Sequence, residues 1–173
     1  GREVVATIPM GIEFNYMVNP NWKIYLDFTT TYVDSDRLDG MARGEHNDWF
    51  ASANLGATYK LNSNVKNFFI DNDACNYWYM MMDGGASFVF GDNQYNFASV
   101  RGNMNVGAGY NFHNKYRVYA KLGYGIYTGE YENLFTLDYA DYYEANINIS
   151  AEISSLIFRN NDARRIGLYP HSG

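Results

Sequence analysis

The chain has 173 residues, 47% of them hydrophobic, which suits one packed domain, and no run of about 18 consecutive apolar residues that would make a membrane-spanning helix. Its 13 Lys and Arg against 19 Asp and Glu give a net charge of -6, which argues against an overall attraction to nucleic acid. An aromatic content of 18%, with 17 Tyr, 11 Phe and 3 Trp, and 16 Gly against 3 Pro point to strands and tight turns, hence an all-β fold.

Residues 4 to 16 alternate with period two: Val4, Ala6, Ile8, Met10, Ile12, Phe14 and Tyr16 share one face, and Val5, Thr7, Gly11, Glu13 and Asn15 the other. Asn19-Pro20-Asn21 supplies a turn, and residues 22 to 33 repeat the pattern, with Trp22, Ile24, Leu26, Phe28 and Tyr32 opposing Lys23, Asp27, Thr29 and Thr31. The polar stretch from Asp34 to Asn47 reads as a long loop. A third strand follows, with Trp49, Ala51, Ala53, Leu55, Ala57, Tyr59 and Leu61 opposing Ser52, Asn54, Gly56, Thr58 and Lys60.

Residues 62 to 76 lose the alternation and read as a linker. It contains the single cysteine, Cys75, which has no internal disulfide partner and makes no paired-cysteine metal or redox motif. The pattern resumes at Trp78, Met80, Met82, Ala86, Phe88 and Phe90 against Tyr79, Asp83, Gly85 and Ser87, and Gly91-Asp92-Asn93 turns the chain. Residues 98 to 112 alternate Val100, Met104, Val106, Ala108, Tyr110 and Phe112 with Ser99, Arg101, Asn103, Asn105, Gly107, Gly109 and Asn111.

After a tight turn at His113-Asn114-Lys115, Val118, Ala120, Leu122, Tyr124 and Ile126 oppose Arg117, Lys121, Gly123 and Gly125. Thr128 to about Ala140 reads as a longer loop. Tyr143, Ala145, Ile147, Ile149, Ala151 and Ile153 then oppose Glu144, Asn146, Asn148, Ser150, Glu152 and Ser154, and a turn at Asn160-Asn161-Asp162 precedes a last strand around Ile166 and Leu168. The organisation is a single domain over 1–173: three strands in 1–61, the linker 62–76, and five strands in 77–173.

Alternation alone fits a soluble lipocalin-like barrel as well as a membrane barrel, but the composition of the faces separates them. The polar face carries Glu13, Lys23, Asp27, Asp83, Arg101, Arg117, Lys121, Glu144, Glu152 and Arg165, a mixed-sign set suited to a polar network in a narrow lumen. The apolar face is almost free of charge. Aromatic residues sit near strand ends, and Trp22, Tyr32, Trp49, Tyr59, Trp78, Tyr110 and Tyr116 are the expected membrane-interface positions. The expected fold is an eight-stranded antiparallel up-and-down transmembrane β-barrel, too narrow for a large diffusion pore.

With the turn after the first strand in the periplasm, parity puts Gly1 and Gly173 on the extracellular side, opposite to the usual arrangement. The segment Leu55-Gly56-Ala57-Thr58-Tyr59-Lys60-Leu61 looks like a terminal strand yet lies mid-chain. A permuted chain order, beginning near Tyr77 and resuming at Gly1, is therefore expected, or fragments numbered out of order. The chain opens on Gly-Arg-Glu-Val with no basic and apolar leader, so a secretion signal is expected to have been removed or to lie outside these residues.

The chain resembles the eight-stranded outer-membrane barrels of the OmpA-like class, particularly those of Bacteroidetes. The resemblance is carried by Gly84-Gly85-Ala86-Ser87-Phe88-Val89-Phe90-Gly91-Asp92, by Asn21-Trp22 entering a strand, by Asp36-Arg37-Leu38-Asp39-Gly40 after Tyr32, and by Asn47-Asp48 leading to Gly56-Ala57-Thr58-Tyr59-Lys60-Leu61. It covers nearly the whole chain as a pattern. It implies a bacterial outer-membrane location, contact with outer-membrane lipid and lipopolysaccharide, and a structural or scaffolding role as a subunit of a larger envelope complex with partner proteins. Many such barrels carry a peptidoglycan-binding domain, and no segment of these residues looks like one.

Candidate chemistry is sparse. Asp34-Ser35-Asp36-Arg37-Leu38-Asp39-Gly40 with Glu45 offers carboxylates for Ca²⁺ without full EF-hand spacing, so an acidic surface loop is expected and no metal site. His46, His113 and His171 lack metal-motif spacing and are expected to be solvated. Some eight-stranded barrels modify lipids with a His and a Ser or acid near the outer rim. His171 with Ser172, or His46 with Asp48, offers only proximity in sequence, so no enzyme activity and no cofactor are expected. Gly107 and Gly109 sit inside a strand, making room for large neighbours such as Tyr119 instead of forming a phosphate loop. The alternatives kept open are a soluble lipocalin-like ligand-binding barrel and an outer-membrane lipid-modifying enzyme.

Overall fold

The computed structural model describes residues 4–33, 49–61, 76–90, 100–113, 115–131, 135–154 and 166–173. Eight antiparallel strands form one closed barrel: β1 (Thr7–Met17), β2 (Trp22–Val33), β3 (Trp49–Lys60), β4 (Tyr77–Phe90), β5 (Arg101–Phe112), β6 (Tyr116–Tyr131), β7 (Phe135–Ala151) and β8 (Ile166–Ser172). Neighbours in sequence are neighbours in space, and β1 closes on β8 with Tyr16 opposite Ile166 and Met10 opposite Ser172. Closure leaves no open strand edge along most of the wall.

Two turns pin the register at one end. At the β1–β2 turn the Asn19 side-chain oxygen accepts from the Asn21 and Trp22 amides at 2.9 and 3.0 Å, and Pro20 fixes the chain between them. At the β5–β6 turn His113 adopts a left-handed φ of 54°, the Lys115 amide donates to the Phe112 carbonyl, and the His113 amide donates to the Asn76 side chain.

The loop expected from Thr128 to about Ala140 is corrected. β6 runs on to Tyr131, β7 starts at Phe135, and Tyr131 pairs with Phe135. A register irregularity between Tyr127 and Gly129 sets Thr128 against two residues of β7, Asp138 and Tyr139. The linker 62–76, apart from Asn76, the acidic stretch 34–48 and the turn at 91–93 lie outside the described residues.

The β7–β8 seam is the shortest. Only Ile149–Ser172 and Ser150–His171 are in register, continued by the Ile153 amide donating to the Leu168 carbonyl. Because Leu168 bonds toward β7 and Gly173 toward Pro9 of β1, the alternation of the ladder turns Pro170 toward β7, where its missing N–H removes a bond.

Candidate functional site

The two faces of the wall separate by chemistry. Ile8, Met10, Ile12 and Phe14 on β1, Ile24, Leu26 and Phe28 on β2, Met80 and Met82 on β4, and Ile147 and Ile149 on β7 all point out and are exposed. Their sequence neighbours Glu13, Asn15, Asp27, Asp83, Asn148 and Ser150 point in and are buried. Outward-facing Trp22 stacks near Tyr59 at 4.9 Å, and Trp78 near Tyr110 at 5.0 Å, at the tight-turn end. Tyr116 starts β6 at that same end, 57% exposed, and Tyr32 meets Trp49 at 5.4 Å at the opposite end. Trp22 and Tyr32 lie ten residues apart on β2, which at about 3.3 Å per residue and the usual barrel tilt separates the two aromatic rings by roughly 25 Å of height.

Inside, the lower lumen is filled by Tyr25, Tyr77, Tyr79, Met81 and Tyr119. Large rings are accommodated by glycines on the adjacent strand. Tyr25 lies across Gly56, Tyr79 across Gly109, Tyr142 across Gly125, and the His171 ring across Gly11, whose absent Cβ would stand 2.6 Å from His171 Nε2. Gly109 also borders Tyr119, as expected of a glycine making room inside the barrel, and Gly107 borders Met81 and Lys121.

Two ionic clusters organise the charges. In the first, an Arg117 terminal nitrogen meets Glu13 Oε1 at 2.8 Å, Arg117 Nε donates to Ser150, Asn15 donates to Glu13, and the guanidinium sits 3.7 Å over the Tyr169 ring. In the second, the Lys121 ammonium lies 3.1 Å from both Asp27 and Asp83. Asp27 also contacts His171 Nε2 at 2.8 Å and accepts from Thr29, while Asp83 accepts from the Tyr25 hydroxyl at 2.7 Å and from Asn105. Buried charges survive in such a place because each is paired and hydrogen-bonded.

Seven of the ten expected lumen charges, Glu13, Lys23, Asp27, Asp83, Arg117, Lys121 and Glu144, thus point inward, Lys23 donating to the Tyr77 hydroxyl at 3.0 Å. Glu144 is half-buried on β7 and accepts from Asn146, and Glu152 lies just past β7, accepting from Ser154. The side chain of Arg101 and the whole of Arg165 lie outside the described residues. Lys60, on the polar face of the third strand but not among the expected lumen charges, is buried with its ammonium 4.4 Å over the Tyr77 ring, and Tyr25 and Tyr77 are inward tyrosines that the sequence reading did not place; the inward phase of the alternation was the available signal.

His171 corrects the expectation of a solvated histidine. It is 7% exposed because β8 turns it inward over Gly11, where Asp27 holds it. Ser172 points outward, so the two do not share a face. His113 is exposed at its turn, and His46 lies outside the described residues.

Above the tyrosine layer, on the side of Thr31 and Phe50, the lumen holds a small recess of about 30 Å³, lined among others by Asp27, Asn54, Asn103, Asn105 and Glu144. The fold and lumen together define an eight-stranded barrel with a polar, plugged interior and an apolar exterior. No protein-family model, curated protein or solved structure matches the chain.

Proposed function

We propose that this chain is an integral outer-membrane β-barrel with a structural or scaffolding role, a subunit of a larger envelope complex and not a diffusion pore or an enzyme. The observation that carries the reading is the inverted polarity of the wall: large apolar side chains outside, paired charges inside. In water such an exterior far exceeds the apolar patches a soluble monomer carries, whereas in a bilayer it is the solvent-matched face. The aromatic rings at two heights agree with the interfaces of an apolar band about 25 Å tall. A soluble lipocalin-like barrel calls for the opposite polarity, which argues against that alternative.

The filled lower lumen supports an anchoring function over conduction. The OmpA-like resemblance, the outer-membrane location, contact with lipopolysaccharide and the envelope partners belong to the same proposal. Mild-detergent extraction of the native membrane, affinity purification and mass spectrometry test it. Stoichiometric co-purifying envelope proteins are the expected result, and recovery without detergent contradicts it. Unchanged lipid A acylation after incubation with the purified protein is expected from a non-enzymatic barrel.

A further inference from the structure

The upper recess is rich in oxygen acceptors. Asn54 on β3 spends its amide N–H on Ser52, and its Oδ1 has no partner although the residue is 4% exposed. Asn103 on β5, 6% exposed, likewise has an unpartnered Oδ1. These two side chains flank Gly85, which lies opposite both in the register, and a Cβ there would stand 2.5 Å from Asn54 Oδ1.

One residue row away, Gly123 separates Asn105 from Glu144 in the same manner, and the Asn105 carbonyl oxygen lies over the place a Gly123 Cβ would take, with the Glu144 Cβ 3.4 Å from that place. On β7 the amide donors run one way: Asn148 donates to Asn146, and Asn146 to Glu144, each at 2.5 Å. The ladder ends on the Glu144 carboxylate.

Charge has the same sense. Asp27, Asp83 and Glu144 set three carboxylates against the single Lys121 ammonium, and that ammonium is already shared by Asp27 and Asp83. Of the two carboxylates that line the recess, Asp27 is held by Lys121 and His171, and Glu144 is the other. No described group of three His, Cys, Asp or Glu could hold a metal ion. The unpartnered amide oxygens sit on β3 and β5 and the Glu144 carboxylate on β7, spaced by glycines, an arrangement suited to N–H donors that diverge from one cationic centre.

We infer that this recess binds a small ligand through a primary ammonium group, with Glu144 as its counter-ion and the Asn54, Asn103 and Asn105 carbonyl oxygens as acceptors. The inference concerns the lumen alone and holds whether or not the outer wall meets lipid. Ethylammonium chloride is titrated into the full, folded chain in detergent micelles, with side-chain amide signals followed by NMR. Saturable shifts at Asn54, Asn103 and Asn105 are expected, with at least a ten-fold weaker affinity in Glu144→Gln and a similar loss in Gly123→Ala, where the added Cβ displaces the Asn105 oxygen.

Tetramethylammonium, which has the charge but no N–H donors, is expected to bind at least ten-fold more weakly. Should Glu144→Gln fail to fold, Asn103→Ser serves in its place and is expected to weaken binding several-fold. Absent shifts, equal binding of tetramethylammonium, binding of Mg²⁺ in place of the amine, or undiminished binding in the folded variants would each overturn the inference.

Discussion

The Tyr79 ring lies across Gly109 on the neighbouring strand, its Cζ and hydroxyl 2.6 Å from where a Cβ would stand. Gly109 is also opposite Tyr119, so one missing side chain gives two rings their places in the lumen. Gly109→Ala therefore overpacks the tyrosine layer and is expected to cost about 1–3 kcal/mol in urea unfolding. Ala108→Gly, at the adjacent outward position, is expected to cost less. Equal effects at both positions would contradict the packing described.

Arg117 and Glu13 are both almost completely removed from solvent. Replacing either alone, by Arg117→Met or Glu13→Gln, leaves the other charge without its partner, at an expected cost of about 3–5 kcal/mol. The double variant is expected to lose much less than the sum of the two. Equilibrium unfolding of all four proteins gives the coupling, and additive losses would mean that the pair is not a unit.

Ile147 faces outward on β7, four residues before its end at Ala151, and is 69% exposed. Under the membrane reading, Ile147→Arg destabilises the barrel in lipid vesicles by about 2–4 kcal/mol. On a water-facing surface the same change stays within roughly 0.5 kcal/mol. Unfolding from vesicles distinguishes the two.

Tyr25, Tyr77, Tyr79, Met81 and Tyr119 fill the lower lumen. The wild-type barrel in a planar bilayer is accordingly expected to show no steady ion current. Truncating Tyr25, Tyr79 and Tyr119 together to Ala opens the layer and is expected to produce measurable conductance. A wild-type current of the same size as the variant's would contradict the plug.

The strands were legible because one physical rule acts over their whole length: inward polar and outward apolar residues alternate from Thr7 to Met17 and again from Trp22 to Val33. The rule blurred where a bulge shifted the phase, and the stretch around Gly129 therefore read as loop. Inward charges such as Asp27 and Arg117 were visible for the same reason. Their partners were not. Lys121 reaches Asp27 across 94 residues and His171 reaches it across 144, a proximity that only barrel closure creates. Of the inward tyrosines, Tyr119 and Tyr79 were legible from the glycines and the alternation, whereas Tyr25 and Tyr77 were hidden by kind: such a tyrosine looks like one on a girdle until the register shows its neighbours.

Trp22, Trp49 and Trp78, the three tryptophans of the chain, all point outward from the wall, 45%, 40% and 58% exposed. Tryptophan fluorescence in vesicles of lipids brominated at defined acyl depths therefore tests the membrane reading most directly. Strong quenching is expected for each tryptophan, measured in variants that keep one at a time, and it should be greatest with bromines near the headgroup. Unquenched fluorescence, with the folded protein left in the aqueous supernatant, would contradict a barrel that spans the bilayer.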